Sequence, residues 1–275
     1  IMNGGIILAT IIALTNQKGG VGKTTTSSSL AAGLSTFYHK KVLAIDLDPQ
    51  GSLGFSLGLD IENSHTIYDV LKGSIPIQDA IQSTDYCDVV TSNILLSSAE
   101  LEFTSSDREL CLKKALAPVL GHYDFVIIDT PPALNILTVN AYVAADHLII
   151  PMAPEILSLL GLTQLKETID SVREKLNPSL NVLGLILTKY NKRTLLAREV
   201  KEMAENIAEQ IGSCVFDTQI RASVSVAESP AHGLSIYDHS PRSNPSLDYK
   251  NFVKEVMVKT GHSISKLSLI HISEP

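Results

Sequence analysis

The segment Lys18-Gly19-Gly20-Val21-Gly22-Lys23-Thr24-Thr25 limits what this chain can fold into more than any other. Before it, Ile11 to Thr15 reads as a buried strand; after it, Leu30, Leu34 and Phe37 recur at helical spacing. A strand that turns through glycines into a helix brings backbone N–H groups, and the positive end of the helix dipole, against an anion. Gly19, Gly20, Val21, Gly22, Lys23, Thr24 and Thr25 are the cradle residues. Lys23 reaches the β and γ phosphates and the Thr24 hydroxyl ligates Mg²⁺, so the arrangement suits a nucleoside triphosphate.

The remaining pattern points to an α/β fold: a single domain with a mostly parallel twisted sheet and helices on both faces. Apolar runs at Val42 to Asp46, Asp88 to Thr91, Phe125 to Ile128, Leu148 to Pro151 and Val182 to Thr188 read as strands. Segments near Thr66 to Leu71 and Leu110 to Leu120 read as helices. So do a stripe from Leu162 to Leu176, closed by Asn177-Pro178, and one formed by Leu196, Val200, Met203, Ile207 and Ile211. Asn244-Pro245 opens a last helix with Phe252, Val253 and Val256 on its buried face. We expect the domain to cover residues 6–262 and residues 263–275 to be a tail outside it.

Two acidic turns fall at strand ends, where ligands of open α/β sheets gather. Asp129 ends its strand because Pro131 and Pro132 forbid both ladder and helix. Asp129 resembles the Walker B acid, which holds a Mg²⁺-bound water, and the same resemblance sets Asp46 in support of the Mg²⁺ region, so that Thr24, Asp46 and Asp129 are the candidate metal residues. Asp46 and Asp48 lie in the turn Asp46-Leu47-Asp48-Pro49-Gln50-Gly51, where a capping role for Asp46 is the alternative.

Composition narrows the partners. A formal net charge of −7 excludes a protein that coats nucleic acid with its whole surface, so any contact with phosphate backbone must be local. Cys87, Cys111 and Cys214 form no metal-ligand spacing and are expected to be small buried hydrophobes in a reducing compartment. The most apolar stretch, Ile6 to Leu14, is half the ~20 residues that cross a bilayer and has no basic start, so a cytoplasmic location is expected.

Thr15-Asn16-Gln17-Lys18-Gly19-Gly20-Val21-Gly22-Lys23-Thr24-Thr25-Thr26 resembles the deviant Walker A motif of the ParA/Soj family of partition ATPases. The Asp46 to Gly51 turn, Asp129-Thr130-Pro131-Pro132 and Glu228-Ser229-Pro230-Ala231-His232-Gly233 are similar to further family motifs, and the likeness runs from about Ile11 to Val258. The resemblance implies ATP with Mg²⁺, weak hydrolysis of ATP to ADP and phosphate, and an ATP-dependent sandwich homodimer. It further implies non-specific DNA binding on the nucleoid and a ParB-like protein that stimulates turnover, with no membrane partner. Lys18, Lys23 and Asp48 become the catalytic residues, Lys18 reaching the partner's nucleotide and Asp48 orienting the attacking water.

For DNA, the stretch holding Lys189, Lys192, Arg193, Arg198 and Lys201 carries five basic residues against the single acid Glu199. Arg193 and Arg221 fall where the family's arginines contact DNA, so Arg193, Arg221, Lys192 and Arg198 are the DNA-binding candidates. An ordinary solvated helix face is the bland alternative for the patch, and a buried, satisfied histidine is the expectation for His232. The sequence departs from the family pattern at Ser29, Ser52 and Leu160, and Arg221 follows Ile220 with no intervening proline.

Three other readings stay open. A MinD-like membrane positioning ATPase needs a C-terminal amphipathic basic helix, which is not evident in the sequence. A redox iron–sulfur ATPase needs a cysteine shortly after Asp129, and none precedes Cys214. A nucleoid-riding ATPase that positions another cargo has no distinguishing residue.

Overall fold

The computed structural model describes residues 8–59 and 65–263. Residues 6 and 7 of the expected domain and the tail from 264 onward lie outside the described residues. So do the side chains of residues 156–160, including the departure at Leu160. Among the described residues one sheet forms from β1 Thr10–Leu14, β2 Val42–Asp46, β3 Ile81–Ser83, β4 Asp88–Val90, β5 Phe125–Asp129, β6 His147–Met152, β7 Asn181–Tyr190 and β8 Val215–Arg221. Its order is β3-β4-β2-β5-β1-β6-β7-β8, and every neighbouring pair is parallel save the antiparallel β3–β4 edge. The mostly parallel sheet read from the sequence is the one the chain forms.

The helices are α1 Lys23–Tyr38, α2 Ser52–Ser56, α3 Ile67–Leu71, α4 Ala99–Glu102, α5 Cys111–Leu116 and α6 Ile136–Ala144. They continue with α7 Ile156–Lys175, α8 Leu195–Gln210, α9 Val224–Glu228, α10 Ile236–His239 and α11 Asn244–Lys259. Both faces of the sheet are covered. Ile11 and Ala13 of β1, with Val126 and Ile128 of β5, face the core that α3 and α5 to α8 complete. Ile12, Leu14, Phe125 and Ile127 face the core completed by α1, α2, α10 and α11. Strands buried on both sides read as unbroken apolar runs, which is why the central ones were legible.

The crossing of α1 and α11 is close because Gly33 carries no side chain. A Cβ there would stand 2.7 Å from both the Tyr237 hydroxyl oxygen and Val253 Cγ2, and that hydroxyl donates to the Ser29 carbonyl at 2.9 Å. Gly33→Val is therefore expected to destabilise the fold by about 1–3 kcal/mol through overpacking. Urea denaturation checks this: the midpoint falls with the slope unchanged, and an unaltered midpoint refutes the close crossing.

Several expectations are corrected. The single helix expected over Leu110 to Leu120 is a 3₁₀ turn at Arg108–Leu110, then α5, then a second 3₁₀ turn at Leu120–His122. Pro118 explains the break, since it lacks an N–H and disfavours helical backbone just before it. In α8 the buried seam is Ala197, Val200, Ala204 and Ala208, with Ile211 just beyond, while Met203 is 49% and Leu196 43% exposed. Small alanines let α8 lie close to the sheet and turn the larger apolar residues outward. His232 is exposed and stacks on His239 with ring centroids 5.0 Å apart, so the buried histidine is not found. Cys87 is buried, as expected for all three cysteines, but Cys111 and Cys214 are half-buried.

Candidate nucleotide-binding site

The loop between β1 and α1 stands at the centre of the sheet, where β1 has β5 on one side and β6 on the other. Gly22 caps α1 with a left-handed backbone (φ 85°), and Gly20 is also left-handed (φ 73°). Those conformations demand glycine. No side chain caps the helix, so its first-turn N–H groups keep no partner within α1. A Cβ at Gly19 or Gly20 would meet nothing within 4 Å, which leaves the ledge open to an anion.

Hydrogen bonds at three other strand ends pin this loop, one made by its own Asn16 and two by side chains of its neighbours. Asn16 donates to the Pro151 carbonyl at 2.7 Å and accepts the Lys18 N–H at 2.9 Å. Thr188, at the end of β7, donates to the Val21 carbonyl at 2.7 Å, and Thr130 donates to the Leu14 carbonyl at 2.8 Å. Asn16 was legible only as part of a resemblance, and Thr188 only as the last residue of an apolar run.

Lys23, Thr24 and Asp129 come together beneath the ledge. The Lys23 amine donates to the Lys18 carbonyl at 3.2 Å, folded across its own loop. Burial lowers its pKa, while the charges of Asp129 and Asp48 act in the opposite sense. Thr24 Oγ1 donates to Asp129 Oδ2 at 2.6 Å and Ser27 Oγ donates to Asp129 Oδ1 at 2.9 Å. Burial pushes the Asp129 carboxyl up to about 6, although both hydroxyls and Lys23 favour its ionised form. Ser27 had no distinguishing signal in the sequence.

The residues present fit a magnesium-bound triphosphate. A hydroxyl beside a carboxylate offers the hard oxygen donors that Mg²⁺ takes, and the ion keeps its remaining positions for water and phosphate.

Asp48 is half-buried and lines the cavity above the loop, its Oδ1 accepting the Gln50 N–H at 3.1 Å. The Ser92 hydroxyl donates to the Asp48 carbonyl and steadies the turn. Asp46 lies deeper. Its side chain is fully buried and both oxygens are committed, one to the Asp48 N–H at 2.9 Å and the other to the Leu53 N–H at 2.9 Å. Burial, then the neighbouring Asp129 charge, pushes its carboxyl well above the usual range. Asp46 thus ties down the turn that presents Asp48, which is the capping alternative read from the sequence.

The cavity is about 860 Å³, inside the ordinary range for a small-molecule site. Beyond the polar loop its wall turns apolar through Phe55, Pro132, Ile220, Val224 and Val226. Lys18 is turned away, its amine paired with Glu155. Backbone and side-chain donors at one end and an apolar wall at the other suit a phosphorylated, ring-bearing ligand.

Comparison with known proteins shows the family. The sequence profile described as an AAA domain matches residues 9–182. The sporulation initiation inhibitor protein Soj of Bacillus subtilis is 40% identical over 250 residues, covering 90% of this chain and 97% of that protein. The chromosome partitioning protein ParA of Caulobacter vibrioides is 39% identical over 253 residues, covering 90% of this chain and 93% of that protein. The chain belongs to the ParA/Soj family of partition ATPases. Among solved structures, a cobyrinic acid a,c-diamide synthase of Mycobacterium smegmatis with bound ATP analogue and magnesium superposes with a TM-score of 0.82 at 33% identity. That match covers 92% of this chain and 96% of the other.

In this ParA/Soj family member the DNA-binding candidates are only partly gathered. Lys192, Arg193 and Arg221 line a second cavity of about 1300 Å³ beside the first, together with Lys254 and Lys259, which the sequence gave no reason to include. Arg198, on α8, is not in that lining. Arg221 and Ala222 belong to both cavities.

Proposed function

We propose that this chain is an ATP-dependent partition switch. It closes into a dimer over ATP and magnesium, binds DNA without sequence preference, hydrolyses ATP slowly and segregates chromosome or plasmid DNA with a ParB-type partner. The observation that carries the reading is Lys23 set between an uncapped helix start and the Thr24–Asp129 pair, with Asp48 on the facing turn. Resemblance to Soj and ParA supports the DNA, the dimer and the ParB-type partner.

Thr24 and Asp129 would hold the magnesium, directly or through water, and the bound ion would supply positive charge against the phosphates. The loop amides and Lys23 fix the β and γ phosphates, and Lys18 of the second subunit adds its charge across the interface. Asp48 orients the attacking water. A carboxylate without a stronger base beside it fits slow turnover that a partner accelerates. Among the described residues no helix is long and apolar enough to cross a membrane.

Calorimetry with ATP and magnesium tests the first step, and absence of binding by folded protein refutes the whole reading. The DNA step has its own test. Arg193→Glu is expected to lower retention on random-sequence DNA about tenfold or more at about 0.1 M salt, with ATP binding intact. Full retention would remove the basic cavity from the DNA interface.

A further inference from the structure

Between the two cavities stands one ion pair. The Arg221 guanidinium grips Asp248 with two prongs, Nε to Oδ2 at 2.9 Å and Nη2 to Oδ1 at 2.6 Å, and the Arg221 backbone N–H donates to Oδ2 at 3.0 Å. Nη2 also donates to the Asn244 carbonyl at 3.3 Å. The carboxylate is on α11 with 9% of its side chain exposed, while the arginine is 45% exposed and faces the basic cavity.

A planar guanidinium fork offers a carboxylate and a phosphate the same two-pronged geometry, so a carboxylate held there occupies the place of a backbone phosphate. The other acids of this cavity are differently employed. Glu255 accepts the N–H groups of Asp217 at 3.0 Å and Thr218 at 2.8 Å, which ties α11 to β8. Asp217 shows no ion pair among the described residues. Asp248 alone of the three closes on a cation of the cavity. The next residue, Tyr249, lines the nucleotide cavity, and its hydroxyl lies 3.2 Å from Thr26 Oγ1 in α1. The first half of α11 thus touches the phosphate-loop helix with one side chain and the basic cavity with its neighbour.

We propose that Asp248 is a positioning residue that holds the Arg221 fork shut and sets the threshold for binding a nucleic-acid phosphate backbone. A DNA phosphate takes Arg221 only by displacing this carboxylate. The inference rests on the basic cavity being the DNA surface, as read above.

Asp248→Asn keeps the shape and an acceptor for the Arg221 N–H while removing the competing charge. In nucleotide-free protein, its affinity for a short random-sequence duplex is expected to rise about tenfold at about 0.1 M salt. The logarithmic salt dependence steepens by about one phosphate. Asp248→Glu returns binding to the parent level, and adding Arg221→Gln to Asp248→Asn cancels the gain. A purely structural ion pair would leave the salt dependence unmoved. Unchanged or weaker DNA binding by folded Asp248→Asn overturns the proposal. If that variant does not fold, Asp248→Ser reads the same competition: it removes the competing charge, leaves the Arg221 fork intact, and is expected to raise nucleotide-free binding about tenfold, no rise being the refuting result. Retention of the parent with ATP is measured alongside. If the parent with ATP fails to hold DNA while nucleotide-free Asp248→Asn holds it, the ATP switch falls and the positioning role stands; the reverse pattern overturns the positioning role alone.

Discussion

Replacing Lys18 by alanine is expected to abolish the ATP-dependent dimer and to leave ATP binding by the monomer nearly unchanged. In this structure the amine is paired with Glu155 in the same chain, with 31% and 56% of the two side chains exposed. Such a pair is worth about 0–1 kcal/mol, so it restrains Lys18 weakly. An ammonium brought against a phosphate in a closed, water-poor interface belongs to a different regime, where loss of one partner costs about 2–5 kcal/mol. Two symmetric sites are lost together in a homodimer, so the dimer's dissociation constant rises by about a thousandfold or more. ATP binding by the monomer survives because Lys23, Thr24 and the loop amides all remain in their own chain. Sedimentation velocity with ATP and magnesium checks the outcome. A variant that still sediments as a dimer would show that Lys18 does not act across the interface.

What was legible in the sequence, and what was not, follows from how each residue is used. The loop from Lys18 to Thr25 was plain because glycine, lysine and threonine at fixed spacing have few other reasons to occur between a strand and a helix. Asp129 was plain because prolines stop its strand there. The strand β8 was missed since Asp217, Thr218 and Gln219 interrupt it, as an edge strand with one partner permits. The helix α6 was missed for the opposite reason: eight of its nine residues are buried, so its sequence shows no polar face to mark a helical period. Lys254 and Lys259 reach the basic cavity from α11 although they are far in sequence from Lys192 and Arg193. Asp46 could be read from the sequence either as a support for the magnesium region or as a cap. Only the coordinates show both of its oxygens spent on backbone N–H groups.

Asp129 carries the second large effect, and here pH is the lever. Its carboxyl is raised from an ordinary 3.8 to about 6 in the free protein, because burial disfavours the charge. A carboxyl raised in the folded state binds its proton more tightly there than in the unfolded chain. The stability it adds is therefore complete below about 3.8 and is lost as pH rises through about 6. Magnesium binding runs the other way, since the ion needs the carboxylate ionised. Apparent affinity for magnesium-ATP is expected to climb by up to about tenfold per pH unit below about 6 and to level off above about 7. Calorimetry near pH 6 in two buffers of different ionisation enthalpy should register about half a proton released per site. Asp129→Asn removes both the charge and the titration. Its turnover should fall about 10²–10³-fold, as when a preorganised charge is taken from a phosphoryl-transfer site, and its remaining affinity should be flat across this range. A parent protein whose affinity is already flat from about pH 5 to about pH 7 would mean that Asp129 is ionised before the metal arrives, and that the Thr24 and Ser27 hydroxyls outweigh its burial.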